Sequence, residues 1–135
     1  MATLRPGLSG NASLLVEERH TAPRIGSGLV HVLATPVMIN LMESAALDAA
    51  EHLLPAGHQS LGTKIDVSHV AATPVGQRVR ATAEVVEVAG NRIVFRVEAH
   101  DEMELIGEGL HHRIVVDVAR FDRRVAKKIT PATKA

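Results

Sequence analysis

A glutamate stands where the sequence pattern predicts an apolar residue. Residues 36–54 form an apolar run with helical periodicity, and its polar side chains gather on one arc of the helical wheel. Glu43 falls outside that arc, in the sector of Ile39 and Ala46. A carboxylate in apolar surroundings costs several kcal/mol unless it is paired or protonated, so such groups are candidates for catalysis. The alternative is a structural Glu43 that reaches water, a backbone end or an arginine.

A histidine on the following strand shows the same conflict. Residues 61–72 alternate in polarity, which is typical of a strand with one buried face. His69 shares its face with Ile65 and Val67, so it points toward the predicted core. Imidazole exchanges protons near neutral pH, which makes His69 a second catalytic candidate; a hydrogen-bonded core histidine is the alternative.

The chemistry open to this pair is acyl transfer. A carboxylate acts as a nucleophile or as the base for water, and an imidazole donates or accepts the proton. Backbone N–H groups at a helix N-terminus can hold a developing oxyanion. Thr35 begins the helix that carries Glu43, so the three side chains are predicted to converge on one cleft. The sequence lacks a G-x-S-x-G motif, which argues against an α/β-hydrolase.

Boundary signals define the elements that position these residues. Thr35 is a suitable N-cap and Pro36 suits the first helical position, and the helix is predicted to end at Leu54, before Pro55 and Gly57. One strand precedes the helix and four follow it, with short connections that imply antiparallel neighbours. The predicted strands cover residues 13–20, 61–72, 77–88, 93–100 and 105–118.

This order of elements predicts an α+β fold in one domain that covers residues 1–135. One apolar helix followed by antiparallel strands indicates a sheet that wraps around the helix. Residues 1–12 are rich in Gly, Pro and Ser and are predicted to be flexible, and residues 22–28 are predicted to form a loop. The chain after residue 119 is a basic tail.

The composition argues against several classes of protein. The 15 basic and 15 acidic residues balance, so no charge excess points to nucleic acid or a membrane surface, and Phe95 and Phe121 are too few aromatics to stack on bases. Without cysteine there is no disulfide, thiolate metal site or thiol nucleophile. Adjacent His111 and His112 face opposite sides of a strand, so no metal site is predicted. A cytoplasmic location is predicted, since neither an apolar stretch of about 18 residues nor a signal-like N-terminus is seen.

Two stretches carry a recognisable pattern, L-A-T-P-V-M-I-N-L-M-E-S-A from Leu33 and S-L-G-T-K-I-D-V-S-H-V-A-A-T-P-V-G from Ser60. They resemble the hotdog-fold thioesterases, and most of all the fluoroacetyl-CoA thioesterase family, over about residues 13–130. The resemblance implies a hotdog fold, in which a five-stranded antiparallel sheet wraps around one central helix. It also implies hydrolysis of a small or medium acyl-CoA to free acid and CoA.

The same resemblance implies roles for particular residues. It makes Thr35, Glu43 and His69 catalytic, at the interface of a homodimer or within a dimer of dimers, and it puts Gly62 beside the thioester. It implies no metal and no cofactor, since coenzyme A is part of the substrate. Whether Glu43 is the nucleophile or the base stays open.

Substrate contacts are predicted from the segment before the helix and from the basic tail. Fluoroacetyl-specific members carry bulky aromatics before the threonine, and this chain has aliphatics there, so hydrolysis without fluoroacetyl selectivity is expected. Arg120 and Arg123 are predicted to bind the phosphates of CoA, with a solvated helix face as the alternative. The acyl pocket is predicted to be lined by Leu29, Leu33, Val37 and Ile39.

Two other functions stay open on the sequence. One is a non-catalytic acyl-CoA binding module, which would not need both Glu43 and His69. The other is a hotdog hydratase or dehydratase, whose usual Asp followed five residues later by a His is not seen at the helix.

Overall fold

The chain folds into five strands and three α-helices within residues 3–129, the part that the computed structural model describes. The strands are β1 (Ser9–Leu15), β2 (His58–His69), β3 (Arg78–Ala89), β4 (Arg92–His100) and β5 (Leu105–Asp117). The helices are α1 (Ala22–Ile25), α2 (Thr35–Ala50) and α3 (Val118–Ala126). None of these helices has the length and apolar character needed to cross a membrane.

The strands form one antiparallel sheet in the order β1-β3-β4-β5-β2, so β1 and β2 are its edges. Helix α2 packs on one face of the sheet, and the core lies between them. The predicted α+β fold, with the sheet around one central helix, is therefore confirmed.

Helix α2 has a proline in its first turn and packs a stripe of apolar residues, four of them alanine, against the sheet. Pro36 lies in its first turn, where a missing N–H costs no hydrogen bond. The α-helix ends at Ala50, and a 3₁₀ turn (Glu51–Leu53) continues the chain, so the predicted end at Leu54 is too late by that turn. Its buried stripe consists of Met38, Leu41, Met42, Ala45, Ala46, Ala49 and Ala50.

Glu43 lies at the edge of this stripe and not inside it. Its side chain is 36% exposed, and Leu47, one turn further along, is 38% exposed. The helical wheel places Glu43 among apolar residues, as predicted. The sheet, however, packs on the stripe beside that sector and not on the sector itself. A single chain therefore leaves a face with Ile39, Glu43 and Leu47 partly open.

A bulge in β2 turns the two site residues of that strand to the same side. Gly62 pairs with Arg113 and Lys64 with His112, so Thr63 is an extra residue. Seven positions separate Gly62 from His69, and in a regular strand an odd separation puts two residues on opposite faces. The extra residue restores a common face toward α2.

The N-terminal segment differs from the prediction. Strand β1 covers Ser9–Leu15, whereas a strand was predicted at residues 13–20. Residues 9–12, predicted to be flexible, pair with β3, while Met1 and Ala2 lie outside the described residues. Pattern alone missed β1, because its pairing with β3 and its packing on α2 involve distant parts of the chain.

Helices form in the predicted loop at residues 22–28 and in the basic tail. The loop predicted at residues 22–28 includes α1, which ends at Gly26 in a left-handed conformation. The basic tail forms α3, and the side chain of Asp117 caps it by accepting a hydrogen bond from the backbone N–H of Arg120 at 3.1 Å.

The close contact between β1 and α2 predicts that Gly10 cannot be replaced by a larger residue without loss of stability. A Cβ at Gly10 would overlap the backbone nitrogen of Ala49 and lie 2.5 Å from the backbone oxygen of Ala45. Gly10→Ala should therefore force the strand and helix apart and lower the free energy of unfolding by about 1–3 kcal/mol or more, measured by urea denaturation. Gly28→Ala is the matched control, because its Cβ would meet only the Ala22 Cβ at 3.5 Å. Equal stability of the two variants would contradict this packing.

Candidate active site

One half of the candidate site is a hydrogen-bonded Thr–His pair. Thr35 Oγ1 lies 2.7 Å from Nδ1 of His69, at the N-terminus of α2. Ala34 is the N-cap and Thr35 is the first helical residue, so the prediction that Thr35 caps the helix is wrong. Pro36 is accordingly the second helical residue, not the first. The Thr35 hydroxyl is thereby free to bind the imidazole.

Burial keeps the imidazole of His69 neutral. Desolvation lowers its pKa below the ordinary value of 6.5, and the backbone of Ala71 only partly opposes this. Among the described residues, Nε2 of His69 is buried with no hydrogen-bond partner. When the Thr35 hydroxyl donates to Nδ1, the proton of the neutral ring lies on Nε2.

The other half of the candidate site surrounds Glu43. Its Oε2 lies 3.8 Å from Nη1 of Arg113 and 4.0 Å from Nε2 of His111. Gly62 faces the same carboxylate, and a Cβ there would lie 2.8 Å from Oε2. A glycine thus keeps the space next to Glu43 open.

His111 and Arg113 are held in one orientation. Nδ1 of His111 lies 2.9 Å from the backbone oxygen of Lys64, so it donates, and Nε2 accepts from Nη1 of Arg113 at 3.1 Å. Burial lowers the pKa of His111, which keeps it neutral and able to accept. Burial also lowers the pKa of Arg113, and the charges of Glu51 and Glu43 oppose that shift; the guanidinium remains charged.

Sequence reasoning missed these two buried residues. The alternation of β5 could have placed His111 and Arg113 on one face, but His111 was considered only as a metal ligand. Within the described part of the chain, no group of three or more His, Asp and Glu side chains is arranged to hold a metal ion.

The two halves of the site are separated in a single chain. Thr35 and Glu43 are eight residues apart on α2, which corresponds to about 12 Å along the helix axis. His69 stays with Thr35, and Gly62 stays with Glu43. One chain therefore does not bring all three predicted catalytic residues into mutual contact.

Two clefts are lined by some of the predicted substrate contacts. A cleft of 330 Å³ contains Thr35 and His69 together with Leu29 and Leu33, but neither Val37 nor Ile39 lines it. A second cleft, of 760 Å³, lies between the end of α2 and α3, and Arg120 lines it. Arg123 lies on α3 outside that lining, and the neighbouring Arg124, which the sequence did not single out, is part of it.

An antiparallel sheet that wraps around one central helix defines the hotdog fold, which solved thioesterases share. The sequence model of the fluoroacetyl-CoA-specific thioesterase family matches residues 16–119. The chain belongs to this family, and it is a thioesterase. Membership favours thioester hydrolysis over the hydratase and the non-catalytic module.

Individual relatives agree with this assignment. A fluoroacetyl-CoA thioesterase from Streptantibioticus cattleyicolor is 46% identical over 101 residues, which are 75% of this chain and 72% of the relative. A solved structure of the fluoroacetyl-CoA thioesterase FlK is 36% identical, with a TM-score of 0.89, and the match covers 96% of this chain and 100% of that one. A thioesterase superfamily member from Thermus thermophilus is 27% identical, with a TM-score of 0.85 over 95% of this chain and 97% of that one.

The two buried histidines predict how stability depends on pH. Folding lowers the pKa of His69 and His111 below 6.5, so the unfolded chain binds more protons in acid. The free energy of unfolding should therefore fall as the pH drops from neutral to about 5, measured by urea denaturation at fixed protein concentration. His69→Gln should make this dependence shallower. An unchanged slope in His69→Gln would contradict the buried, neutral state of His69.

Proposed function

We propose that this chain hydrolyses small or medium acyl-CoA thioesters to free acid and CoA, with Thr35, Glu43 and His69 as the catalytic residues. The observation that carries the proposal is the Thr35–His69 hydrogen bond of 2.7 Å at the wall of an apolar cleft. A threonine hydroxyl fixes the ring, and the ring presents its second nitrogen to the acyl group. The family's thioesterase activity agrees with this chemistry.

The active form in this proposal is a homodimer paired through β2. That strand binds β5 on one side only, and its other edge offers free backbone donors and acceptors. An antiparallel pair with Asp66 opposite the partner's Asp66 brings Lys64 opposite the partner's Ser68. The bulge at Thr63 then brings Gly62 opposite the partner's His69. Glu43 of one chain would thus meet Thr35 and His69 of the other.

The reaction then follows from the groups in this joined site. Glu43 either attacks the thioester carbonyl carbon itself or removes a proton from water, and the hydroxide then attacks. Nε2–H of His69 stabilises the oxyanion. The C–S bond breaks, and CoA leaves as a thiolate that takes up a proton. In the first route, water hydrolyses the resulting anhydride and restores the Glu43 carboxylate.

The CoA moiety would extend toward α3. In the proposed dimer, β2 read backwards from Gly62 to His58 runs alongside the partner chain from the partner's His69 towards the partner's Ala71. Arg120 and Arg124 border the 760 Å³ cleft beside His58. With Arg123 on the same helix, they form a basic surface that could bind phosphate groups by charge-assisted hydrogen bonds.

Mixed dimers test both the catalytic residues and the shared site. Glu43→Gln preserves volume and removes the charge, and His69→Ala removes the ring, so each variant alone should lose most thioesterase activity. When the two are co-expressed, half of the dimers formed at random contain both chains, and each has one intact site. About a quarter of the parent activity should therefore return, measured as thiol release from acetyl-CoA.

The same experiment distinguishes an error in the catalytic residues from an error in the shared site. If either single variant turns over acetyl-CoA at nearly the parent rate, its residue is not catalytic. If both are inactive and the mixture stays inactive although mass spectrometry shows mixed dimers, each site lies within one chain. Glu43→Gln mixed with Glu43→Gln/His69→Ala is the matched control, and it should remain inactive.

The acyl pocket predicts a broad preference for short aliphatic acyl groups. Leu29 is 95% exposed at the rim of the 330 Å³ cleft, and none of the described residues that line this cleft is Phe, Tyr or Trp. An aliphatic rim gains about 0.8 kcal/mol for each methylene it buries, and it has no specific contact for fluorine. Acetyl-, propionyl- and butyryl-CoA should be hydrolysed with kcat/KM comparable with that of fluoroacetyl-CoA. A preference of several orders of magnitude for fluoroacetyl-CoA over acetyl-CoA would contradict this.

A further inference from the structure

A chain of buried hydrogen bonds connects the end of α2 to the guanidinium beside Glu43. Glu51 accepts from Ser60 twice, from the backbone N–H at 2.8 Å and from the hydroxyl at 2.5 Å. Ser60 in turn accepts from Arg113 twice, with its hydroxyl oxygen at 2.7 Å from Nε and its backbone oxygen at 3.0 Å from Nη2. Each link is two-point, so neither Ser60 nor Arg113 can rotate without breaking a bond.

The position of Glu51 is unfavourable for the helix itself. It follows the last residue of α2, where the helix dipole disfavours negative charge. The contact with Ser60 and the attraction to Arg113 offset that cost. A carboxylate at this position stabilises the guanidinium on β5 more than it stabilises the helix.

The remaining donors of Arg113 point to a role in the site. Three of its five N–H groups bind Ser60 and His111. The Nη1 nitrogen that binds His111 also lies nearest to Glu43, at 3.8 Å. The side chain of Arg113 is only 8% exposed, so water competes little for its charge. Small rotations of this group would change the orientation and the electrostatic environment of the Glu43 carboxylate.

We infer that Glu51 and Ser60 are positioning residues for the thioesterase reaction, acting through Arg113 on Glu43. This inference rests on the proposed catalytic role of Glu43. Neither residue touches the reacting atoms. Glu51 fixes Ser60, and Ser60 fixes the plane of the guanidinium. The guanidinium attracts the carboxylate that attacks or activates water, from 3.8 Å away, and so biases its orientation. A displacement of about 1 Å at such a carboxylate is enough to lower a rate by about two orders of magnitude.

The test compares Glu51→Gln with a control on the same helix. Glu51→Gln should lower kcat for acetyl-CoA by about 10- to 100-fold and change KM by less than about 3-fold, because positioning and not substrate binding is lost. Asp48→Asn is the matched control. Like Glu51, Asp48 accepts a hydrogen bond from the backbone N–H of a strand residue, which is Asn11 at 3.0 Å. That strand is β1, which carries none of the candidate site residues. The kcat of Asp48→Asn should equal that of the parent.

A second variant and a double variant complete the test. Ser60→Ala removes only the hydroxyl and should show the same loss of kcat, so a folding defect in Glu51→Gln would not end the test. Adding Glu51→Gln to Glu43→Gln should change the residual rate little, because both act at one carboxylate. If the two losses multiply, Glu51 does not act through Glu43.

The outcomes distinguish this inference from the proposed function. A parent enzyme that hydrolyses no acyl-CoA, or a fully active Glu43→Gln, would overturn the proposed function. An active parent with an inactive Glu43→Gln and a normal kcat in both Glu51→Gln and Ser60→Ala would overturn this inference alone.

Discussion

The spacing of Thr35 and Glu43 on one rigid helix is the constraint on which the site depends. Both residues belong to α2, about 12 Å apart along its axis, and no side-chain rotation brings them together. The Thr35–His69 pair and the Glu43–Arg113 pair are therefore two half-sites in each chain. In a two-fold dimer, the Thr35–His69 half-site of each chain would meet the Glu43–Arg113 half-site of the other chain. The chemistry we propose therefore requires a dimer.

Strand β2 is the element that carries both half-sites to one edge. Its bulge turns Gly62 and His69 toward α2 despite their odd spacing. The same irregularity aligns Gly62 with the partner's His69 when the strands pair about Asp66. The surface of α2 with Ile39, Glu43 and Leu47, which the sheet leaves partly open, lies beneath this edge and would be covered by the partner.

The sequence predicts the fold better than it predicts the surroundings of the candidate site residues. Periodicity and boundary signals find α2, with its start displaced by one residue, and the strands from β2 to β5, because these signals are local. The conflict between charge and pattern selects Glu43 and His69. Strand β1 was displaced in the prediction because its pairing with β3 spans about half the chain.

The surroundings of the site depend on contacts that no local pattern contains. Arg113 and Ser60 are 53 residues apart and form two hydrogen bonds with each other. The half-exposed position of Glu43 depends on where the sheet centres its packing on α2, and the free hydroxyl of Thr35 depends on Ala34 taking the cap position. Each follows from tertiary packing, which a helical wheel does not include.

Cross-linking across β2 tests the joined site most directly. The sequence has no cysteine, so a single Asp66→Cys substitution introduces the only thiol. Opposed residues of paired antiparallel strands lie about 4.5–5.5 Å apart between Cα atoms, within the range of a disulfide. Mild oxidation should therefore yield a covalent dimer of Asp66→Cys that retains thioesterase activity, whereas Ser13→Cys on the opposite edge strand should stay uncross-linked. An Asp66→Cys variant that remains uncross-linked, or a Ser13→Cys variant that cross-links as readily, would contradict the account.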